Sequence, residues 1–364
     1  MYSVRTMLRQ SALLAADIET LTDPLATRAG TALEALRCDD LRQVVLVGSG
    51  DSHCAGRATE LAFERLAAIS CHALSTQQFL DYGMLSPVRE SPGTLVVAVS
   101  ASGSSPRLLT AVRQARAQGH PTVAVTGRSD SAIARAAGQH VAAELTLTER
   151  CPGIRTYQAS LLALLLLAVR LSALRRAHPG LPVAAEQSLV AEIAATADAV
   201  RAGHADADEP CRELAARLAE TARPWVPLVV AGTGPARGTA MYTAAKVVEA
   251  AGLPAYAQDV EEYWHVERFL DPADAPLVVV APSGRGHLRV VELARAAAGR
   301  GRRVVVVTGR DDTTMTRAAW HSVPVAPTAR EEWSPLTGHV FAGLLGARLA
   351  ERLDRTPFSG GGPP

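Results

Sequence analysis

Two stretches with nearly the same pattern decide the fold, Leu95-Val-Val-Ala-Val-Ser-Ala-Ser-Gly103 and Leu277-Val-Val-Val-Ala-Pro-Ser-Gly284. Each is followed by a helix-length segment, a glycine and a second valine-rich run, at 122–127 in the first copy and at 304–309 in the second. The sequence therefore predicts that one structural unit occurs twice in the chain.

Another matched pair, Val44–Gly50 and Leu228–Gly234, precedes these stretches and ends each time in a glycine turn. The apolar runs are continuous rather than alternating, which is typical of strands buried on both faces of a parallel sheet. We therefore predict an α/β fold with two tandem doubly wound, flavodoxin-like parallel-sheet domains and flanking helices. Ligands of such sheets bind beyond the carboxyl ends of the strands.

Domain boundaries follow from composition and from the position of the repeats. We predict a helical lead-in, a first sheet domain, a helical connector opened by His178-Pro179-Gly180, a second sheet domain and a flexible tail. Their predicted ranges are 1–39, 40–175, 176–224, 225–350 and 351–364.

Composition excludes several classes of function. The chain has 364 residues, 48% hydrophobic and 20% charged, and a formal net charge of +1, so it lacks the basic surface expected for binding nucleic acid or an anionic membrane. Its five cysteines form no C-x-x-C pair, which favours a reducing cytoplasm. The most apolar run, Leu161–Val169, is shorter than the about 20 residues that cross a bilayer and predicts a buried helix.

The first candidate site is the loop Ser100-Ala-Ser-Gly-Ser-Ser105, between a strand and a helix. Hydroxyls and backbone N–H groups at a helix N-terminus bind phosphate oxygens, whereas a single serine would indicate ordinary helix capping. Four serines within six residues favour the phosphate site. In the second copy the loop is Ala281–Arg285, and Pro282 removes a backbone donor, so we expect one phosphate site per chain.

Both glycine turns lack a dinucleotide motif. His53 and Arg237 stand where the third glycine of G-x-G-x-x-G would be, so no nicotinamide cofactor, and no other cofactor, is predicted. Ser52 in the first turn is either a second ligand donor or a helix cap.

The second candidate site contains Lys246, Glu249, Glu262 and His265. Lys246 is the single lysine of the chain, and it shares a helix face with Glu249, three residues on. The alternative is that Lys246 and Glu249 form an ordinary surface ion pair. Such a pair would tolerate arginine, which replaces lysine at every other position of the chain. Glu262 and His265 form one E-x-x-H pair, and because no second such pair is evident we predict acid/base chemistry rather than a metal.

These motifs resemble the SIS (sugar isomerase) domain family, and in particular the tandem domains of the isomerase half of glucosamine-6-phosphate synthase and of related aminosugar-phosphate deaminases and isomerases. The S-x-S-G-x-[ST] loop is matched by Ser100, Ser102, Gly103 and Ser105, and Ser52 matches the serine of the family's first turn. The resemblance implies that these residues bind a sugar phosphate. It also implies that Thr156 replaces a sugar-contacting serine.

For the second half, the resemblance implies that Glu249 shuttles a proton between C1 and C2 and that His265, sixteen residues on, assists ring opening from the partner subunit of a dimer. Lys246 and Glu262 match further family positions. The chain departs from the family at Glu261–Val266, which lacks both glycines of G-E-x-K-H-G, and in its lysine-free tail.

The predicted activity is therefore that of a cytoplasmic phosphosugar isomerase or aminosugar-phosphate deaminase, in a homodimer that shares its sites between subunits. Residue 2 is Tyr2 and not the cysteine nucleophile of a glutaminase, so the glutamine-dependent synthase reaction is expected only if a separate chain supplies ammonia. The alternatives are a phosphosugar-binding regulator without turnover and an SIS fold adapted to another carbanion reaction.

Overall fold

The computed structural model of the chain describes residues 2–83, 93–146, 149–175, 183–221, 223, 226–317 and 319–359. It contains two five-stranded sheets in which every strand pairing is parallel. The first sheet is built from β1 Gln43–Gly48, β2 Ser70–Ser75, β3 Thr94–Ser100, β4 Thr122–Thr126 and β5 Gln139–Ala142. The second sheet is built from β6 Leu228–Ala231, β7 Ala255–Gln258, β8 Pro276–Ala281, β9 Arg303–Thr308 and β10 His321–Pro324.

Both sheets have the same strand order. The first runs β2-β1-β3-β4-β5 and the second β7-β6-β8-β9-β10, which is the flavodoxin-like order with a change of direction beside the first strand of each unit. Residues of β1, β3 and β4 are buried along their whole length, as the continuous apolar runs predict. The predicted α/β fold with two parallel sheets is confirmed.

Helices connect and flank the strands. They are α1 Val4–Ala12, α2 Leu14–Glu34, α3 Asp51–Leu66, α4 Thr76–Gln78, α5 Pro106–Ala117, α6 Ala132–Ala136, α7 Arg155–Leu174, α8 Val183–Thr221, α9 Pro235–Ala251, α10 Val260–His265, α11 His287–Gly299, α12 Thr313–Thr316, α13 Ser334–Gly338 and α14 Val340–Arg352. Short 3-10 turns lie at Cys38–Asp40, Glu267–Phe269 and Glu331–Trp333, and a π-helical turn at Phe79–Gly83.

The apolar helix α7 is buried, as its sequence predicts. Within the described residues it is the one helix that is long and apolar enough to cross a membrane, but most of it is buried in the protein, and the core helix of a soluble protein has the same length and composition. It packs against α3, so its leucines form part of the core on one face of the first sheet.

The chain divides into two compact units. The first comprises 16–146 and 155–197 with the first sheet, and the second comprises 2–15, 149–154 and 198–359 with the second sheet. The predicted boundaries at 40, 175 and 225 stay predictions, and these units differ from them because α1 packs against α14. Parts of the predicted connector, including His178-Pro179-Gly180, and residues 360–364 of the predicted tail lie outside the described residues.

Candidate functional site

The first candidate site lies where β1 and β3 of the first unit end side by side. This is the point at which the strand order changes direction, so the turn after β1 and the serine loop after β3 meet at one edge of the sheet. The N-termini of α3 and α5 begin there and bring unpaired backbone N–H groups with them.

The serine loop is organised around two of its own hydroxyls. Ser100 Oγ accepts from the N–H of Gly103 at 3.1 Å, and Ser102 Oγ accepts from the N–H of Ser104 at 3.3 Å and from its hydroxyl at 3.1 Å. Gly103 has a left-handed backbone (φ 63°), and a Cβ there would lie 2.3 Å from the Ser131 side chain. The tight turn therefore requires glycine.

Ser105 precedes α5 but makes no side-chain capping hydrogen bond. Neighbouring Ser131, by contrast, caps α6 by accepting from the N–H of Ala134 at 3.2 Å. Ordinary capping therefore accounts for Ser131 and not for Ser105. Ser105 is half-buried and lies at the N-terminus of α5, where the helix dipole favours an anion.

The turn after β1 places Ser52 in the first turn of α3. A Cβ at Gly48 would lie 2.8 Å from Cβ of Ser52, so glycine permits this close approach of strand and helix. Ser49 donates its hydroxyl to Thr76 Oγ1 at 2.9 Å, which fixes the turn against the end of β2.

Thr156 is the second residue of α7 and is half-buried. The preceding Arg155 is buried and holds Asp17 with two hydrogen bonds, of 2.6 and 2.7 Å, while its third contact is the carbonyl of Thr146. The hydrogen bond to Asp17 raises the pKa of the Arg155 guanidinium. The start of α7, and with it the position of Thr156, is therefore anchored by a buried ion pair.

The second candidate site lies on α9 in the second unit. Lys246 Nζ lies 2.5 Å from Glu249 Oε2, and the lysine side chain is wholly buried whereas that of Glu249 is 28% exposed. This burial contradicts the surface-pair alternative. The pair presents a carboxylate that solvent or a ligand can reach, held by an ammonium that water does not reach.

Lys246 contacts the Tyr242 ring with its ammonium and Gly346 with its backbone. Its ammonium lies 5.0 Å from the centroid of the Tyr242 ring, and the ring of His339 meets Tyr242 edge-on at 5.7 Å. Tyr242 also donates its hydroxyl to the carbonyl of Gly153 at 2.8 Å. A Cβ at Gly346 would lie 2.9 Å from the carbonyl oxygen of Lys246, so α14 packs closely on α9 because this residue is glycine.

Glu262 and His265 lie on α10 with exposed side chains. Nε2 of His265 lies 3.5 Å from Glu261 Oε1, and Glu261 in turn accepts from Arg289 at 2.8 Å. The described partner of His265 in this chain is thus Glu261, and the structure does not pair it with Glu262. The 68% exposure of the histidine side chain leaves its ring accessible from outside the unit.

His339 packs against Tyr242, the residue beside Lys246, and its pKa offers a test of how deeply this region is buried. Burial lowers the pKa of His339 to about 3, whereas an unfolded histidine titrates near pH 6.5. As pH falls below 6.5, the unfolded state binds a proton that the folded state does not, so stability decreases by about 1.4 kcal/mol per pH unit. We expect His339→Gln to have a shallower loss of unfolding free energy between pH 6.5 and 4.5, measured by urea denaturation.

Four other histidines, whose pKa values burial also lowers, are present in both proteins, so their contributions cancel in this comparison; they are His53, His120, His204 and His321. Parallel pH profiles for the wild type and the variant would contradict a neutral, buried His339.

The predicted tail begins inside α14 and returns to the second site. The N–H of Phe358 donates to the backbone carbonyl of Glu249 at 2.7 Å, and its ring meets that of Tyr2 edge-on at 4.9 Å. Phe358 has a left-handed backbone (φ 62°), which is unusual for a bulky residue. Phe358 therefore contacts the helix that carries Glu249.

A metal site was an alternative for the E-x-x-H pair. In the part of the chain that the structure describes, no group of three or more His, Cys, Asp or Glu side chains is arranged to hold a metal ion.

The family model for the SIS domain matches residues 38–170. Residues 38–170 are an SIS domain. This SIS domain includes the whole first sheet with its serine loop and extends into α7.

Relatives extend the similarity beyond the SIS domain. The chain is 27% identical over 321 residues to glutamine-fructose-6-phosphate aminotransferase (isomerizing) of Streptomyces coelicolor, covering 85% of this chain and 49% of that protein. The chain spans about half the length of the curated relatives it matches.

Two solved structures share the fold of both sheets. The C-terminal domain of glucosamine-fructose-6-phosphate aminotransferase from Francisella tularensis matches with a TM-score of 0.83 at 15% identity and 97% coverage of both chains. Tagatose-6-phosphate ketose/aldose isomerase from Escherichia coli matches with a TM-score of 0.69 at 16% identity, covering 98% of this chain and 95% of that one.

Sequence analysis missed several residues that shape the two sites. Ser131 lies against the predicted Gly103 and Tyr242 lies beside the predicted Lys246, while Thr76 holds Ser49 in the turn that carries the predicted Ser52. For Tyr242 a signal existed, because it lies four residues before Lys246 and so shares its helix face.

Proposed function

We propose that this protein interconverts the aldose and ketose forms of a phosphorylated sugar or amino sugar by moving a proton between C1 and C2. The observation that carries the proposal is the Lys246–Glu249 pair, in which a wholly buried ammonium holds a partly exposed carboxylate. A carboxylate in this setting can accept a carbon-bound proton, and a fixed positive charge nearby stabilises the enediolate that forms.

In this proposal Ser52, Ser100, Ser102, Ser105 and the backbone of Gly103 bind the phosphate, while Thr156 contacts the sugar. His265 opens the sugar by moving the proton of the C1 hydroxyl to the ring oxygen as the bond between C1 and the ring oxygen breaks, acting from the partner subunit of a homodimer, and Glu262 supports it. Glu249 removes the proton from C2 and returns it to C1. With an amino group at C2, the same proton transfer followed by hydrolysis would release ammonia.

A substrate panel tests the proposal. The purified protein is incubated in deuterated water with C5 to C7 sugar phosphates and aminosugar phosphates, and NMR follows deuterium at C1 and C2 while ammonia release is assayed. We expect exchange with at least one compound that binds. Binding without exchange on every compound would refute the isomerase and favour a phosphosugar-binding regulator.

The phosphate site has its own prediction. Hydrogen bonds to a charged group contribute about 1.5–3 kcal/mol each, so Ser100→Ala combined with Ser102→Ala should raise KM for the phosphosugar by at least about 100-fold. The value of kcat should change less, because these hydroxyls lie in the unit that does not carry Glu249.

The unphosphorylated parent sugar serves as the control ligand, and its weaker binding should not change. Thermal unfolding checks that the loop still folds, since Ser100 Oγ also accepts from Gly103. An unchanged KM in a folded variant would remove the serine loop from the phosphate site.

A further inference from the structure

The loop after β8 is the structural counterpart of the serine loop. β8 occupies the place in the second sheet that β3 has in the first. Helix α5 begins at Pro106 and α11 at His287, an offset of 287 − 106 = 181 residues that relates Ser104 to Arg285. This loop has lost its serine pattern, but it still lies at the carboxyl end of a central strand and at the start of a helix of 13 residues.

A carboxylate of the same chain occupies this loop. The backbone N–H of Arg285 donates to Glu331 Oε1 at 3.2 Å, whereas the N–H of Ser104 donates within its own loop. A Cβ at Gly284 would lie 2.4 Å from Glu331 Oε1, so the carboxylate rests directly against the glycine backbone. Arg285 Nε lies 3.9 Å from Glu331 Oε2.

The position of Glu331 is set by the fold. It begins the 3-10 turn Glu331–Trp333, whose tryptophan is completely buried, and its own side chain is only 21% exposed. The pocket around the carboxylate is lined by Thr233 from the turn after β6 and by His287 of α11. His287 Nε2 lies 3.1 Å from Asp312 Oδ2.

We propose that the loop after β8 is a second oxyanion site, for phosphate or a phosphate monoester, that the carboxylate of Glu331 keeps closed. The Glu331 carboxylate accepts from the backbone N–H of Arg285 and lies beside its guanidinium, and these are donors that a phosphate would also use. While Glu331 is in place it excludes a second anion by volume and by like charge. The single phosphate site per chain that we expect from the sequence follows from this closure.

The test is the stoichiometry of inorganic phosphate at constant ionic strength, measured by equilibrium dialysis. We expect Glu331→Ala to bind one equivalent more per chain than the wild type. Because the result is a difference, it is independent of the proposed function: absence of binding by the wild type would count against the serine loop, and only the gain in the variant reports on this site.

Two variants separate occupancy from charge. Glu331→Gln keeps the shape and can still accept from Arg285, so it should gain no equivalent. Glu220→Ala removes the same charge from an exposed residue on α8, paired at 3.7 Å with Arg352, and should behave like the wild type. Should Glu331→Ala fail to fold, Glu331→Ser replaces it. Wild-type stoichiometry in a folded Ala or Ser variant, or an equal gain in either control, would overturn the proposal.

Discussion

Replacing Glu249 with glutamine is expected to reduce deuterium exchange at C1 and C2 by about 10²- to 10⁴-fold, the range by which a positioned acid or base accelerates proton transfer. Glutamine has nearly the same shape but cannot take the proton. The backbone carbonyl of residue 249, which accepts from the N–H of Phe358, is unchanged by the substitution. Binding of the phosphosugar should therefore remain close to that of the wild type.

Glu220→Gln is the matched control, because it neutralises a carboxylate that is 66% exposed on a helix of the same unit. Exchange should persist in that variant. Wild-type exchange in a folded Glu249→Gln protein would show that the proton is carried by another group. Loss of both exchange and binding would show instead that Glu249 binds the sugar.

Replacing Lys246 with methionine is expected to have the largest effect on stability. Removing one partner of a buried ion pair costs about 3–5 kcal/mol. Because Glu249 is 28% exposed and can be partly hydrated, we expect a loss near the lower end of that range. Exchange should fall with it, since the carboxylate loses the group that holds it and the charge that stabilises the enediolate. Urea denaturation and the exchange assay measure the two effects separately.

The matched control is Arg201→Met on α8, whose pair with Asp198 has the same i,i+3 spacing but exposed side chains. That pair should contribute only about 0.2–0.5 kcal/mol. Equal losses in the two variants would contradict a special role for burial at Lys246.

Lys246→Arg addresses why this one lysine is retained. The planar guanidinium is larger and would have to fit the wholly buried space beside the Tyr242 ring that the ammonium now occupies. Overpacking of this kind costs about 1–3 kcal/mol. A variant with wild-type stability and exchange would show that the position tolerates arginine.

Much of the fold could be predicted because its signals are local. Continuous valine-rich runs separated by helix-length segments indicate buried parallel strands at any position in a chain. The repeat of Leu95–Gly103 at Leu277–Gly284 then implied two sheets of one topology. The i,i+3 spacing of Lys246 and Glu249 likewise places them on one helix face before any tertiary structure is known.

Other features depend on residues that are distant in sequence. Burial of Lys246 requires α14 to pack on α9 through Gly346, a hundred positions later. Glu261 and Glu262 both have a helical spacing to His265, and Glu261, the partner seen in the structure, is also held by Arg289 of α11, a residue distant in sequence. No local pattern encodes the contacts of Gly346 with Lys246 or of Arg289 with Glu261.

The serine loop and its counterpart illustrate this division. The sequence alone determined that the first loop has the four serines and the glycine typical of an anion site, and that the second keeps Gly284 but has Ala281, Pro282 and Arg285 in place of most of the serine pattern, since residue type and order suffice for that. Only the tertiary structure placed the carboxylate of Glu331 against Gly284, 47 residues away (331 − 284). A hydrogen bond between distant residues depends on how the intervening strands and helices pack, and packing is a property of the whole folded unit.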